Sequence, residues 1–360
     1  MNGNIKLTGG GSYYLRGIPA GCKYCMNGSK IVVFITGRCF TKCFYCPLSE
    51  KRKNGTQIYA NEVQVNSVQD LIREAELIEA EGAGLTGGDP LYVFDETVKY
   101  IGLLKKHFGS KFHIHLYTTG HNLTSKRADT LIRSGLDEIR FHPSGAPLSK
   151  LKLFKDSAVK FGVEVPAIPG DEANLKKLII FLEELGADFI NINELEFSDT
   201  NADELIRRGL KLKRGAIAAA DGSQKTALKL LEWCDKNTEE IMVHYCPAEL
   251  KDKVQLKNRF IRRGRNVRRP YEELDEEGLL IRGVIYLSEK HSIEGFRRLL
   301  VDKYEVPEEM IELDPLKKQI ITAWYIVKEL SKELAEKKVR AGIIKSYPTD
   351  DRFIVMSYYL

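Results

Sequence analysis

The 360-residue chain is 43% apolar and 29% charged, a globular balance that excludes wholesale disorder and leaves room for a large domain with a smaller companion. No apolar run approaches the roughly 18 residues that a membrane helix needs, and residues 1–17 lack the apolar centre of a secretory signal, so a cytoplasmic protein without membrane insertion is expected. The net charge of +5 is unevenly placed: residues 251–269 hold nine Lys or Arg and one Asp, which leaves the rest of the chain slightly acidic.

In chain order, residues 1–30 form an N-terminal extension that carries Cys22 and Cys25. Short apolar runs of strand length follow at 31–37, 82–88, 112–120, 136–143, 163–170 and 187–197, with 240–246 as a candidate seventh. Glycines 82, 109, 135, 162 and 186 recur at intervals of 27, 26, 27 and 24 residues. Each follows apolar residues at helical spacing, as Val98, Ile101, Leu104 and Phe108 do before Gly109, and reads as a helix C-terminal cap. Ser67 with Asp70 reads as the start of one such helix.

Strands alternating with helices imply an α/β protein whose parallel sheet is covered on both faces. The period suits a partial parallel (β/α)6 barrel over residues 31–250, with an open doubly wound sheet as the alternative. A basic segment, 251–274, then leads to a small C-terminal α+β appendage, 275–360. In it, 279–287 reads as a strand and 292–306 as a helix capped by Ser292. Ile320, Trp324, Val327, Leu330 and Leu334 read as a second helical stripe, and 340–347 and 351–360 as strands.

Loops that follow the strands of such sheets carry the chemistry. Directly after the first strand, Cys39, Cys43 and Cys46 form a CxxxCxxC. Thiolates are the usual ligands of iron–sulfur clusters, and three of them can hold three irons of a [4Fe-4S] cube and leave the fourth open. The triad, its position and Tyr45 before its third cysteine resemble the radical S-adenosylmethionine (radical SAM) superfamily. Thr86-Gly87-Gly88-Asp89-Pro90, after the second strand, is similar to that family's GGEP motif, with Asp in place of Glu. The resemblance covers residues 31 to about 200. Around the triad it is to an archaeal group related to pyruvate formate-lyase activating enzymes, which also has a CxxC before the first strand.

The resemblance implies an enzyme whose cluster and S-adenosylmethionine, supplied with one electron by a donor protein, yield a 5′-deoxyadenosyl radical that takes hydrogen from a substrate. It implies that Tyr45 flanks the adenine and that the Thr86–Asp89 loop receives the methionyl ammonium on the backbone of Gly87 and Gly88. Thr118 and Thr119 either bind the ribose or carboxylate or are plain turn residues. Arg140 either pairs with the methionyl carboxylate or forms a structural ion pair.

Cys22 and Cys25 have the spacing of two ligands to one metal. Cys246 is their expected partner, with His244 beside it. Cys234 shares a helical stripe with Ala227, Leu230 and Leu231 and reads as a core thiol. Structural zinc, a second [4Fe-4S] cluster and a metal-free or redox pair all remain open for the CxxC.

For the substrate, the basic segment is the strongest clue. Lys257, Arg259, Arg262 and Arg263 belong to a cation density that can neutralise phosphates, which points first to RNA and to tRNA modification. A solvated helix face paired with acidic residues is the plain alternative. A protein or small-molecule substrate is the other functional class. Asn191 and Asn193 share one strand face and are candidates to point inward at substrate, with Glu194 and Glu196 on the opposite face.

Overall fold

Each short apolar run of the first 250 residues forms a strand in the computed structural model, which describes residues 3–360. The strands are β1 (Ile5–Leu7), β2 (Tyr13–Leu15), β3 (Lys30–Thr36), β4 (Ile58–Ala60), β5 (Val63–Val65), β6 (Gly82–Gly87), β7 (His113–Thr118), β8 (Glu138–Phe141), β9 (Lys160–Ala167), β10 (Phe189–Glu194) and β11 (Met242–Cys246). Between them run helices α1 (Ala20–Met26), α2 (Val68–Leu77), α3 (Phe94–Phe108), α4 (Ser125–Ser134), α5 (Glu172–Leu185), α6 (Ala202–Arg207) and α7 (Ser223–Asn237).

Seven parallel strands stand in the order β3-β6-β7-β8-β9-β10-β11. The candidate seventh run is thus a full member, β11. Antiparallel β4 and β5 extend the β3 edge, and β2 and β1 extend the β11 edge. Since β3 and β11 do not pair with each other, the α/β barrel is partial.

The strands alternate rather than being apolar throughout. One set of positions, including Ile31, Val33, Leu85, Ile114, Leu116, Ile139, Val163, Ile190 and Val243, is fully buried and apolar. Burying each such side chain contributes roughly 1.5–3 kcal/mol. The other set carries His115, Glu138, Arg140, Asn191 and His244, polar and equally buried. Into this polar interior fits α1, which packs against β3, β6 and β7. A side chain at Gly21 would strike His115 and Arg140, and Cys22 reaches Asn191 on β10.

The recurring glycines do different work. Gly135 and Gly186 close α4 and α5 in the left-handed conformation, and Gly109 closes α3 with φ +87°. Gly82 opens β6, and Gly162 lies inside β9, where a Cβ would stand 2.3 Å from the Phe189 carbonyl oxygen. Close strand approach, not capping, is what Gly162 serves. The helix start expected at Ser67 forms a reciprocal cap, with Asp70 N donating to Ser67 Oγ and Ser67 N to Asp70 Oδ2 at 2.8 Å. On α3 the buried face runs through Thr97, Tyr100, Ile101 and Leu104, rotated from the stripe that ends at Phe108.

After β11, the helical turn α8 (Ala248–Leu250) runs into a π-helical turn, Lys251–Leu256. The chain forms two compact units, and their division falls inside the basic segment, after Leu256. The second unit comprises Leu77–Glu79 and Lys257–Leu360. It contains α9 (Lys257–Val267), β12 (Glu273–Leu274), β13 (Leu280–Tyr286), α10 (Ile293–Tyr304), β14 (Glu312–Asp314), β15 (Gln319–Thr322), α11 (Trp324–Glu329), α12 (Ser331–Glu336), β16 (Arg340–Ser346) and β17 (Ile354–Tyr359). Its antiparallel sheet, ordered β14-β15-β13-β16-β17, buries Ile285, Ile320 and Ala341 against Leu300, Val327 and Leu334 of the helices. Ser292 caps α10 by accepting from Gly295 N. Ile320 lies on β15 instead of joining Trp324 on a helix, because the chain turns at Ala323.

Candidate active site

The loop after β3 carries the cysteine triad and lines a cavity of about 1000 Å³ over the strand ends. Cys39, Cys43 and Cys46 are unpaired thiols on its wall. Thr41 Oγ1 stands 3.5 Å from Cys39 Sγ and 3.6 Å from Cys43 Sγ, so these two sulfurs flank one hydroxyl. Phe40, between the cysteines, packs on Tyr92 and His121 with ring centres 4.9 and 6.0 Å away, which pins the loop to those that follow β6 and β7. On the other side Asn201 Nδ2 donates to Tyr45 O and Thr200 Oγ1 to Cys46 O.

Two residues of the loop after β8 shape the triad. Ser144 Oγ lies 3.1 Å from Cys43 Sγ, and His142 accompanies it. Burial pushes the Cys43 thiol up, but hydrogen bonds from His142, Ser144 and Thr41 outweigh it and hold it near 6. Burial raises Cys46 instead. His142 is itself held in place, its Nδ1 donating to Glu164 O and its Nε2 meeting Tyr45 OH at 2.7 Å. Tyr45 therefore faces the cavity with its hydroxyl tied to the loop after β8 and its ring edge-on to Phe44.

The Thr86–Pro90 turn forms a second wall. Gly87 has φ +146°, and a Cβ there would stand 2.2 Å from Thr36 O. One on Gly88 would stand 2.2 Å from Arg38 O, so the turn sits directly on β3 and its loop. Asp89 differs from what the motif comparison suggests: its side chain is buried and in use. It accepts from Leu91 N, Thr118 Oγ1, Thr119 N and Thr119 Oγ1. Both threonine hydroxyls are thus committed to Asp89, a third arrangement beside ligand binding and plain turn.

Below these walls lie Tyr117, Arg140, Glu164 and Asn193. Arg140 takes the structural ion pair: Nε donates to Glu138 Oε1 at 2.6 Å and Nη1 to Glu164 Oε2 at 2.9 Å. Burial pushes the Glu164 carboxyl up, but Arg140 and Asn193 prevail and hold it below the usual range. Asn193 Nδ2 donates to its Oε1 at 2.8 Å and lines the cavity, whereas Asn191 is buried and turned to His244. Glu196 also lines the cavity, paired with Lys251.

Cys22 and Cys246 are buried and Cys25 half-buried, both Cys22 and Cys25 act electrostatically on Cys246, and burial pushes the Cys22 thiol up to about 12 while Arg140 pulls it down. Arg140 Nη1 lies 3.3 Å from Cys22 Sγ. His244 does not join them as a ligand. Its Nδ1 meets Asn191 Oδ1 at 2.5 Å and its Nε2 meets Ser12 Oγ at 3.2 Å, so both nitrogens are taken. Cys234 is a buried thiol on α7, its pKa raised by burial.

The basic segment is largely consumed by its own surroundings. Lys257 pairs with Glu277, and Arg262 donates to the carbonyls of Ile78 and Glu79. Arg263 is buried and reaches Pro348 O and Asp350. The Arg259 guanidinium lies over the Phe260 ring, 5.9 Å from its centre. These four side chains form no free phosphate-binding row.

Among the described residues no helix is long and apolar enough to cross a membrane. A model described as "Radical SAM superfamily" matches residues 33–160, and one described as "Domain of unknown function (DUF8061)" matches 278–358. A protein of Methanocaldococcus jannaschii named "Putative glycyl-radical enzyme activating enzyme" is 39% identical over 350 residues, which is 93% of this chain and 90% of that protein. Among solved structures, Streptococcus suis SuiB bound to S-adenosylmethionine is similar at 12% identity and a TM-score of 0.45, with 61% of this chain and 50% of SuiB covered. Native anSMEcpe with bound AdoMet and a peptide is similar at 16% identity and a TM-score of 0.42, with 59% and 63% covered. The match thus spans about half the length of SuiB. The likeness along nearly the whole chain to an activating enzyme, with the family match over the cysteine loop, makes this chain a member of the radical SAM superfamily, enzymes that use a [4Fe-4S] cluster and S-adenosylmethionine.

Proposed function

We propose that this radical SAM enzyme acts on a protein and places a radical on a partner polypeptide. The observation that carries this reading is the 39% identity, over 93% of the chain, to a protein named for activating glycyl-radical enzymes. The tRNA reading loses its support, because the cations that suggested it are engaged within their own unit.

Three unpaired thiols on one short loop, one of them with its pKa held near 6, are a donor set that fits the cluster. Cys39, Cys43 and Cys46 would hold it. The Gly87–Gly88 turn, where any Cβ would collide with the neighbouring loop, fits a close backbone approach to S-adenosylmethionine. Bound there, the two cofactors supply reductive cleavage of the sulfonium and a carbon-centred radical. The chain's own residues do the rest. Asp89 fixes the ends of β6 and β7 to each other through the three hydrogen bonds it accepts from Thr118 and Thr119. Tyr45, tied to His142, gives an aromatic wall for the adenine. Arg140, Glu164 and Asn193 form a rigid polar floor against which a backbone segment of the partner can be held and kept from water. Cys22 and Cys25 act electrostatically on Cys246, and these three are the thiols that would hold a second metal. A one-electron donor protein is the remaining partner.

The test is anaerobic incubation of the reconstituted protein with reductant, S-adenosylmethionine and either soluble proteome of the source cell or its total tRNA. Release of 5′-deoxyadenosine above the uncoupled rate should follow the protein fraction, survive ribonuclease, and accompany an organic radical signal in electron paramagnetic resonance. Stimulation by tRNA alone would reverse the reading.

A further inference from the structure

The strand β7 begins His113-Ile114-His115, and residues two apart on a strand face the same side. Both imidazoles therefore lie on the interior face, and Glu138 of β8 stands in register with His115. One nitrogen of each histidine and one Glu138 oxygen lie within 4.8 Å of one another. His113 Nε2 is 3.7 Å from Glu138 Oε2.

These nitrogens are otherwise idle. His115 is completely buried, and neither of its ring nitrogens has a hydrogen-bond partner among the described residues; His113 Nε2 has none either. Buried polar atoms without partners are rare, and each one calls for an explanation such as an ion or water. Glycine backbones lie close against both edges of the His115 ring. A Cβ on Gly21 would stand 2.6 Å from its Nδ1, and one on Gly84 would stand 2.7 Å from its Nε2. Glu138 is held ready, Oε1 taking Arg140 Nε at 2.6 Å and Oε2 accepting from Gly21 N at 3.3 Å. The cysteine-lined cavity reaches Tyr117 and Arg140 but not this group, which sits at the starting end of the strands.

We propose that His113, His115 and Glu138 bind a divalent transition metal of the zinc class, with a structural role at the base of the barrel. Two imidazoles and a carboxylate are the donors such an ion prefers, and the contacts of Glu138 with Arg140 and Gly21 fix the orientation of the carboxylate. The site takes none of its ligands from the cofactor cysteines or from the Cys22–Cys25 pair.

Full-length protein purified without its cluster is loaded with zinc alone, freed of excess metal and analysed for metal content. A zinc ion should remain in the Cys39→Ala/Cys43→Ala/Cys46→Ala variant and in the Cys22→Ala/Cys25→Ala variant. Affinity should fall at least about tenfold in His115→Gln and in His113→Gln, the scale on which metal sites respond to altered ligation. Zinc should raise the melting temperature of the parent protein and leave that of His115→Gln unchanged. Should the glutamine variants fail to fold, cobalt on a variant with Cys22, Cys25, Cys39, Cys43 and Cys46 all changed to Ala decides: its spectrum should report nitrogen and oxygen ligands. No retained zinc, unchanged zinc in His115→Gln, or no nitrogen- and oxygen-ligated cobalt in the variant without those five cysteines would each overturn the assignment.

Discussion

Asp89 Oδ1 accepts the hydroxyl of Thr118 at 2.9 Å, while its Oδ2 holds the backbone N–H of Thr119 at 3.0 Å. One buried carboxylate thus joins the turn after β6 to the end of β7. Asp89→Ala would leave two buried hydroxyls and two backbone N–H groups without their acceptor. Stability should fall by about 3–5 kcal/mol, as when one partner of a buried charged network is removed. Asp89→Asn keeps the shape and should cost less, about 1–3 kcal/mol. Thermal melts give the stability change, and equilibrium binding of S-adenosylmethionine should weaken in the same order.

Cys43 and Cys46 should differ in reactivity in the cluster-free protein. With its pKa held near 6 by His142, Ser144 and Thr41 against the effect of burial, Cys43 is mostly thiolate at pH 7. Cys46, raised by burial, is mostly thiol. Iodoacetamide at pH 7 should label Cys43 first, and His142→Ala should remove that preference. Peptide mass spectrometry at short times reads both outcomes; equal labelling of the two in the parent protein would contradict it.

The imidazole of His244 should make the protein acid-sensitive. Burial lowers its pKa from 6.5 to about 4, with Arg140 acting in the same direction and Glu164 against it. The folded state thus prefers the neutral ring, and the unfolded chain takes up the proton first as pH drops. Its contribution is complete above pH 6.5 and is lost progressively between 6.5 and about 4, up to about 3 kcal/mol at 1.36 kcal/mol per unit. His244→Gln should reduce the slope of stability against pH in this window. Urea melts at pH 7, 6 and 5 measure it, and an unchanged slope would rule out this role.

Two glycines offer a paired control. Gly88→Ala puts a Cβ 2.2 Å from Arg38 O, so the turn must move off the cysteine loop. Binding of S-adenosylmethionine should fall by more than about tenfold, which corresponds to about 1.4 kcal/mol. Gly102, inside α3, has open space around it, and Gly102→Ala should stabilise the helix by about 0.5–1 kcal/mol. Calorimetric titration and thermal melts of the two variants separate these effects.

The parts legible in the sequence were those written locally. The CxxxCxxC lies within eight residues, and the strand and helix periods repeat every turn of the chain, so composition and spacing suffice to find them. What pairs across the fold was not legible. Ser144 lies 101 residues from Cys43, and Arg140 meets Glu164 only because β8 and β9 are neighbours. The partners of the basic run were hidden for the same reason: its charges look unpartnered in one dimension, yet Glu277 and Asp350 meet Lys257 and Arg263 once the second unit folds. The paired histidines of β7 did carry a signal, a period of two, but it was hidden inside a run taken simply as a strand.

Because Gly21 and Cys22 of α1 press on His115, Arg140 and Asn191, the helix props the interior from which Arg140 reaches Glu164. Whatever shifts that helix shifts the cavity floor with it.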